Sequence, residues 1–419
     1  MLEHTFVRTG VIARLRRNPL GPYLDALATT LHHDGYAPSS IQRFLCAAEQ
    51  FAHWVCRHGY TICEMDKDLV RSYIAGLPKY RSGNLPKAAQ GLGYLVRFLH
   101  QHGVTRPRQA ELPTPPIEQW LLAYDAHLEH VAGLSLSTRQ GYGHLVRRFI
   151  SHCFGTESPD WSSLTAARIT AFVSQEAALR RNTGRKQPAV AVRSFLRFLV
   201  FRGDIRPGLE AAAPSPPQWK SASLPSRLTP EDIARVLAVY HDGSAISLRN
   251  RAILFLLARL GLRAQDVVSL CLDDIDWADG RFALPPGKSR RARTLPLPYD
   301  VGQTIVAYLQ SGRPPSASRQ VFVRSRPPFW SLTSAAVWAI VRQAFTRAGL
   351  IVPPGIASHL FRHTVASQMV NRGANFKDVA DVLGHQSIAT TGIYAKLDLE
   401  ALAAVALPWG GGALCVPTL

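Results

Sequence analysis

Arginine, histidine and tyrosine residues suited to phosphate chemistry are concentrated in the C-terminal half of this 419-residue chain. They lie in three short strings and one residue shortly after them: Gly261-Leu262-Arg263, His359-Leu360-Phe361-Arg362-His363, Leu383-Gly384-His385, and Tyr394. Guanidinium and imidazole groups bind phosphate oxygens, and a tyrosine hydroxyl, with a pKa of about 10, becomes nucleophilic beside positive charge or a base. The set predicts attack by a tyrosine on a phosphodiester, with fixed cations holding the phosphate.

The second string predicts a helix that presents three polar residues on one face. At 100° per residue, His359, Arg362 and His363 fall within an arc of about 100°. The spacing of the two histidines would also suit zinc. However, Leu360 and Phe361 occupy the positions where a zinc protease carries its glutamate, and the sequence offers no third ligand. We therefore expect neither a metal nor another cofactor.

Two further residues are candidates for supporting roles. Asp266 lies three residues after Arg263, within reach on the next turn, and we expect its carboxylate to hold the Arg263 guanidinium. Lys288 lies in a predicted turn between two strands and could protonate a leaving oxygen if its pKa is suitably tuned. A solvated basic loop is an equally good interpretation of Lys288, because three more arginines are close by: Arg290, Arg291 and Arg293.

The region that carries these residues is predicted to mix helices with a small sheet. Thr229 and Pro230 are typical of a helix start, and the apolar stretch 249–260 predicts a helix that ends at Gly261. Asp279-Gly280 fits a tight hairpin turn. The predicted strands are 275–277, 281–284 and 293–297, and the later helices are 333–348, 358–371, 376–383 and 387–395.

Proline-rich stretches at 105–116 and 204–229 divide the chain. They predict a first module (residues 1–104), a second module (117–203), a C-terminal region (228–407) and a tail (408–419). The two modules are similar to each other at offsets of 98 to 100 residues, which indicates a duplicated unit of about four helices. Matched positions include Gly35 with Gly133, Phe51 with Phe149, Tyr73 with Phe172, and Gly103 with Gly203. The predicted fold class is mainly α, with a small β-sheet in the C-terminal region.

The formal charge of +19 and the pI of about 10.2 favour a polyanionic partner, most often nucleic acid. The densest basic cluster lies in the second module, where we expect phosphate contacts from Arg180, Arg181, Arg185 and Lys186. No apolar run reaches the roughly 18–20 residues that cross a bilayer, so we expect no membrane association. The six cysteines include no C-x-x-C pair, which indicates reduced thiols and a cytoplasmic location.

The C-terminal strings together resemble the catalytic domain of the tyrosine recombinases, also called phage integrases. The matching segments are Gly261–Asp266, His359–His363, Leu383–His385 and Thr391–Tyr394. The resemblance implies that Arg263 and Arg362 hold the scissile phosphate. It also implies that Lys288 is the general acid, His359 assists proton transfer, His385 donates a hydrogen bond to the phosphate, and Tyr394 is the nucleophile. Asp266 and His363 would support these residues, and Arg290 and Arg291 would contact DNA.

The same resemblance implies a site-specific recombinase that cleaves and rejoins DNA through a 3′-phosphotyrosine, with integration or transposition of a mobile element as the favoured setting. It implies double-stranded DNA with paired core sites as the partner, a DNA-bound homo-tetramer assembled through the tail, and association with the nucleoid. The second module would be the core-binding domain. The first module would be an addition that binds DNA or another protomer. Two alternatives remain open: relaxation of DNA in the manner of a type IB topoisomerase, and a non-catalytic DNA-binding protein.

Overall fold

The computed structural model describes residues 1–77, 85–105, 116–155, 157–180, 184–215, 227–285, 292–351, 357–384, 391, 392 and 394. The chain forms two compact units. One unit combines Met1–Pro107 with Ser223–Leu419, and the other consists of Arg108–Ala222. The described residues are mainly helical with one three-stranded sheet, so the predicted fold class is confirmed. Among these residues, no helix is both long enough and apolar enough to span a membrane.

The first module is a helical bundle around a core of leucine and aromatic side chains. Its helices are α1 (Leu2–Thr5), α2 (Thr9–Arg17), α3 (Gly21–His33), α4 (Pro38–Arg57), α5 (Lys67–Ala75) and α6 (Leu85–Gln101). Local sequence signals begin several of them. Proline occupies the first turn of α3 and α4, and the Asp66 side chain accepts hydrogen bonds from the first amides of α5.

The described part of the second module contains four α-helices, in line with the prediction of about four. They are α7 (Pro116–His130), α8 (Leu136–Phe154), α9 (Ala166–Ala178) and α10 (Gln187–Arg202). Thr165 caps α9 through its hydroxyl, and Gly203 ends α10 in the left-handed conformation. The core is again aromatic, with Phe149, Phe195 and Leu196 fully buried.

Equivalent positions of the two modules have the same structural roles. The rings of Phe51 and Tyr73 lie 5.3 Å apart in the first module, and those of Phe149 and Phe172 lie 5.3 Å apart in the second. Both rings of each pair are buried. The matched glycines also agree, because all four have a positive φ: Gly35, Gly133, Gly103 and Gly203. Helices α3–α6 therefore repeat as α7–α10, and α1 and α2 are additions to the first copy.

The C-terminal region surrounds the buried helix α12 (Ala245–Leu260). The other helices are α11 (Pro230–Leu237), α13 (Ala264–Ser269), α14 (Tyr299–Ser311), α15 (Ser334–Arg347), α16 (Ala357–Asn371) and α17 (Phe376–Leu383). The antiparallel sheet consists of β1 (Ile275–Asp276), β2 (Arg281–Leu284) and β3 (Arg293–Pro296) in the order β1-β2-β3. The predicted Thr229 cap is present, with the Asp232 amide 3.1 Å from the Thr229 hydroxyl. The predicted helix at 387–395 lies mostly outside the described residues.

The first module touches the C-terminal region through an aromatic segment. Gly35 packs so closely on the Phe329 ring that a Cβ there would lie 2.2 Å from it. The Arg97 guanidinium lies 4.8 Å from the centre of the Trp330 ring, a cation–π arrangement. We refer to Phe329 and Trp330 as the docking pair.

Candidate active site

The chain turn that carries Arg263 is built on a close backbone approach. Helix α12 ends at Gly261, which has a φ of +60°, and a Cβ there would lie 3.0 Å from the Leu383 side chain. Arg263 then begins α13, with its amide donating to the Asp266 carboxylate at 3.1 Å. Its half-buried guanidinium donates from Nη2 to the Gly384 carbonyl at 3.0 Å. The side chain is therefore held between the ends of two helices.

Arg362 lies on α16 and is 5% exposed. Its Nη1 donates to the Gly261 carbonyl at 3.0 Å, and its Nη2 donates to the Leu383 carbonyl. These acceptors lie at the C-terminal ends of α12 and α17, where the helix dipole favours positive charge. Burial, and then the charges of Arg263 and Arg293, lower the pKa of Arg362 to about 9. The group is still mainly cationic near pH 7.

Asp266 does not pair with the side chain that the sequence suggested. Its carboxylate binds the Arg293 guanidinium, while the Arg263 guanidinium goes to a backbone carbonyl. The expected Arg263–Asp266 side-chain pair is therefore wrong, although Asp266 does receive the Arg263 amide. The reason is geometric: the Arg263 amide caps α13, while its guanidinium reaches the Gly384 carbonyl at the end of α17.

Arg293 is the residue of this cluster that the sequence analysis failed to select. Besides binding Asp266, it donates from Nη1 to the Val382 carbonyl at 2.8 Å. Burial lowers the pKa of its guanidinium, and the Asp266 charge opposes that shift. A signal was available, because Arg293 lies two residues before the buried Leu295 on β3 and therefore shares its inward-facing side. A charge on that side of a strand is costly unless hydrogen bonds or an opposite charge compensate it.

Tyr394 is 1% exposed and lies in a small apolar cluster with Ala366, Val370 and Leu383. Its hydroxyl is 2.8 Å from Nδ1 of His363. Burial raises the pKa of Tyr394 to about 12, and the Arg362 charge acts in the opposite direction. Burial, followed by the charges of His359 and Arg362, lowers the pKa of His363. A neutral imidazole beside a protonated phenol can accept its hydrogen bond.

The predicted helical face is present in α16. His359 is exposed at the start of this helix, Arg362 is buried one turn later, and His363 is half-buried against Tyr394. Six of the eight predicted catalytic and supporting residues are described, and the structure brings them together: Arg263, Asp266, His359, Arg362, His363 and Tyr394. Lys288 and His385 lie outside the described residues.

The predicted DNA-contact cluster is only partly described. The Arg180 side chain binds both the carboxylate and the backbone carbonyl of Glu176 at the end of α9, and Glu176 also pairs with Arg148. Arg185 is exposed, and Lys186 precedes α10. Three predicted contacts lie outside the described residues: Arg181, Arg290 and Arg291.

The charges of the described cluster leave a positive excess. Arg263, Arg293 and Arg362 converge at the ends of α12 and α17, and among the described residues Asp266 is the carboxylate bonded to this group. Because most acceptors are neutral carbonyls, the guanidinium charges are not cancelled. A buried tyrosine hydroxyl and an imidazole lie beside them. Such an arrangement can bind a phosphate and supply a nucleophile.

Known proteins are similar to this chain in sequence and in fold. The sequence model of the phage integrase family matches residues 226–400. A putative integrase/recombinase, y4rA, of Sinorhizobium fredii is 36% identical over 95% of this chain and 97% of its own length. The tyrosine recombinase XerD of Mycobacterium tuberculosis is 30% identical over 70% of this chain and 96% of its own length.

Among solved structures, the XerH site-specific recombinase bound to its palindromic difH substrate has the same fold, with a TM-score of 0.53 at 18% identity. The match covers 70% of this chain and 98% of XerH. The chain belongs to the phage integrase family and is a tyrosine-type site-specific DNA recombinase. Because the S. fredii relative aligns with 95% of the chain, the sequence similarity includes the first module as well.

Proposed function

We propose that Tyr394 is the nucleophile and that Arg263 and Arg362 bind the scissile phosphate. The observation that carries this assignment is the 2.8 Å contact between the Tyr394 hydroxyl and His363, one residue after the buried Arg362 on α16. The nucleophile, a proton acceptor and a phosphate-binding cation thus belong to one rigid arrangement. His359, exposed on the same helix, assists proton transfer, and His385 donates a hydrogen bond to the phosphate.

The reaction follows from these roles. The Tyr394 hydroxyl attacks the phosphorus and gives its proton to His363, whose lowered pKa keeps it neutral and able to accept. The bond from phosphorus to the 5′ oxygen breaks, and Lys288 supplies the proton to that leaving oxygen. The products are a 3′-phosphotyrosine and a 5′-hydroxyl. Attack by the 5′-hydroxyl of another strand reverses the step and joins the strands, so no external energy source is needed.

The positive groups stabilise the charge that develops on the nonbridging oxygens. A preorganised donor of this kind contributes roughly 3–4 kcal/mol to transition-state stabilisation. Arg362 is preorganised because carbonyls at two helix ends bind it, and Arg263 is anchored by Gly384. Neither anchor is a carboxylate, so both arginines keep their charge for the phosphate.

We propose double-stranded DNA with paired core sites as the partner. The second module serves as the core-binding domain, with Arg180, Arg181, Arg185 and Lys186 at phosphates. Arg290 and Arg291 of the C-terminal region contact further phosphates. Four copies assemble on the DNA through the tail at 408–419. The first module adds further DNA contacts. The enzyme acts in the cytoplasm, at the nucleoid when bound, and integrates or transposes a mobile element.

A trapping experiment tests the assignment of the nucleophile. Nicked duplexes tiled across the DNA that flanks the gene release a short oligonucleotide on cleavage, so the covalent complex cannot reverse. We expect a protein–DNA adduct with the wild-type chain and none with Tyr394→Phe, while both bind the same duplex equally. An adduct that survives Tyr394→Phe, or wild type without any adduct, would contradict the proposal.

A further inference from the structure

Arg293 connects three elements at the centre of the site. It lies on β3, its side chain is 12% exposed, and its two terminal nitrogens bond to different partners. Nη1 donates to the Val382 carbonyl in the last turn of α17, and Nη2 donates to the Asp266 carboxylate on α13. The strand, the helix that Arg263 begins and the helix that precedes His385 are joined by this one guanidinium.

The same guanidinium packs against the backbone of the turn that ends α17. A Cβ on Gly384 would lie 2.7 Å from Nη1 of Arg293, so any larger residue there would displace this guanidinium. The carbonyl of Gly384 accepts from Arg263, and the carbonyl of Leu383 accepts from Arg362. The position of one short turn thus determines the direction of both phosphate-binding side chains.

We infer that Arg293 is a positioning residue for the phosphate-binding site. It holds the Leu383–Gly384 turn in place, and the carbonyls of this turn orient the side chains of Arg263 and Arg362. The inference rests on the proposed roles of those two arginines. Arg293 is not a third phosphate ligand, because the Asp266 carboxylate neutralises its charge. Arg263 and Arg362, by contrast, are bonded mainly to neutral carbonyls.

The first test compares binding with catalysis. Arg293→Gln should slow adduct formation on the nicked duplex roughly 10- to 100-fold at saturating enzyme, because a displacement of about 1 Å at a reacting centre can cost about 100-fold. The affinity for the same duplex should change little. Arg293→Lys keeps the charge but cannot reach both acceptors, so it should recover only part of the rate. Arg319→Gln removes an exposed ion pair with Asp273 and should match wild type.

The second test uses a duplex with a methylphosphonate at the scissile position, where one nonbridging oxygen is replaced by a methyl group. Arginines that neutralise those oxygens matter less on this substrate. The rate loss of Arg263→Gln should therefore shrink, and the loss of Arg293→Gln should shrink with it. A general loss of folded protein would lower the rate on both substrates equally, and an equal loss would overturn the inference.

The third test is the double variant Arg263→Gln/Arg293→Gln. If Arg293 acts through the turn that anchors Arg263, the two losses should be less than additive. Full additivity would show an independent role and overturn the inference. An Arg263→Gln variant that cleaves normally would refute the phosphate-binding role and this inference with it. If Arg293→Gln forms the adduct at the wild-type rate while Arg263→Gln is slow, the inference about Arg293 is refuted and the phosphate-binding role of Arg263 stands.

Discussion

Arg362 retains its charge in the interior because backbone carbonyls at helix ends, rather than a carboxylate, are its hydrogen-bond partners among the described residues. A carboxylate partner would satisfy the guanidinium equally well, but it would cancel the charge that a phosphate requires. The partial negative charge at the end of a helix is about half an elementary charge, so the balance remains positive. The Asp266 carboxylate is bonded to Arg293 instead. At the level of single residues, the arginine that a carboxylate neutralises is distinct from the two arginines that neutral carbonyls hold.

His363 provides a pH test of the proposed proton transfer. Its pKa is lowered by burial, so the neutral, accepting form prevails above that lowered value. The rate of adduct formation should therefore be constant near neutral pH and fall only as the pH drops below the ordinary histidine value of about 6.5. His363→Gln should lose the acid limb and slow the reaction by about 100-fold or more, the usual contribution of a general base.

Single-turnover rates of adduct formation between pH 5 and 9 measure this profile. His241→Gln, which changes an exposed histidine of the same region, should keep both the rate and the acid limb. An acid limb that persists unchanged in His363→Gln would assign the proton transfer to another group. Circular dichroism of both variants at each pH separates a change in mechanism from unfolding.

At the scale of elements, the site is assembled from helix ends rather than helix faces. Helix α12 ends at Gly261 and α17 ends at Gly384, both in the left-handed conformation, and each end supplies carbonyls to an arginine. Leu383 packs near Gly261, so the two ends touch each other. Glycine is required here for two reasons, the positive φ and the close approach of neighbouring groups.

A comparison of Gly384→Ala with Gly280→Ala separates the effect of the positive φ from the effect of the close approach. Both glycines have a φ near +60°, but a Cβ at Gly280 meets nothing within 4 Å, whereas one at Gly384 meets Arg293 at 2.7 Å. Each variant should lose about 1–2 kcal/mol of unfolding free energy from backbone strain. Only Gly384→Ala should also slow adduct formation, by roughly tenfold or more. Urea unfolding measures the loss of stability, and the trapping assay measures the rate of adduct formation. Equal rates of adduct formation in both variants would refute the role of the close approach to Arg293.

Local signals explain why the elements were predictable. The Thr229 cap and the Gly261 end of α12 involve neighbours in sequence and lie where the sequence predicts a helix start and a helix end. The hairpin also lies where Asp279-Gly280 predicts it, but Asp276 pairs with Arg281, so the loop spans residues 277–280 and is longer than the tight turn expected. The choice of Arg293 as the partner of Asp266 was not predictable in this way. These residues are 27 positions apart, and their contact depends on the placement of β3 against α13 and α17.

At the scale of the whole molecule, the two modules repeat one another, yet the first belongs to the compact unit that contains the active site. Its contact with the C-terminal region includes Gly35 on Phe329 and Arg97 on Trp330. A cation–π contact of this kind contributes about 0.5–1 kcal/mol when exposed, so the docking pair is a weak attachment. Small changes at this contact should therefore release the first module without unfolding it.

Gly35→Ala and Gly59→Ala test this attachment, because they impose similar strain in the same module. Their φ values are +84° and +80°, but a Cβ at Gly35 would lie 2.2 Å from Phe329, while one at Gly59 meets nothing within 4 Å. Both variants should destabilise the module equally. Only Gly35→Ala should raise hydrogen exchange in peptides that contain Phe329 and Trp330, by about fivefold for each kcal/mol lost. If Gly59→Ala raises exchange there equally, the two parts are coupled through overall stability and the docking pair has no specific role. If neither variant does so, the first module is held by other contacts.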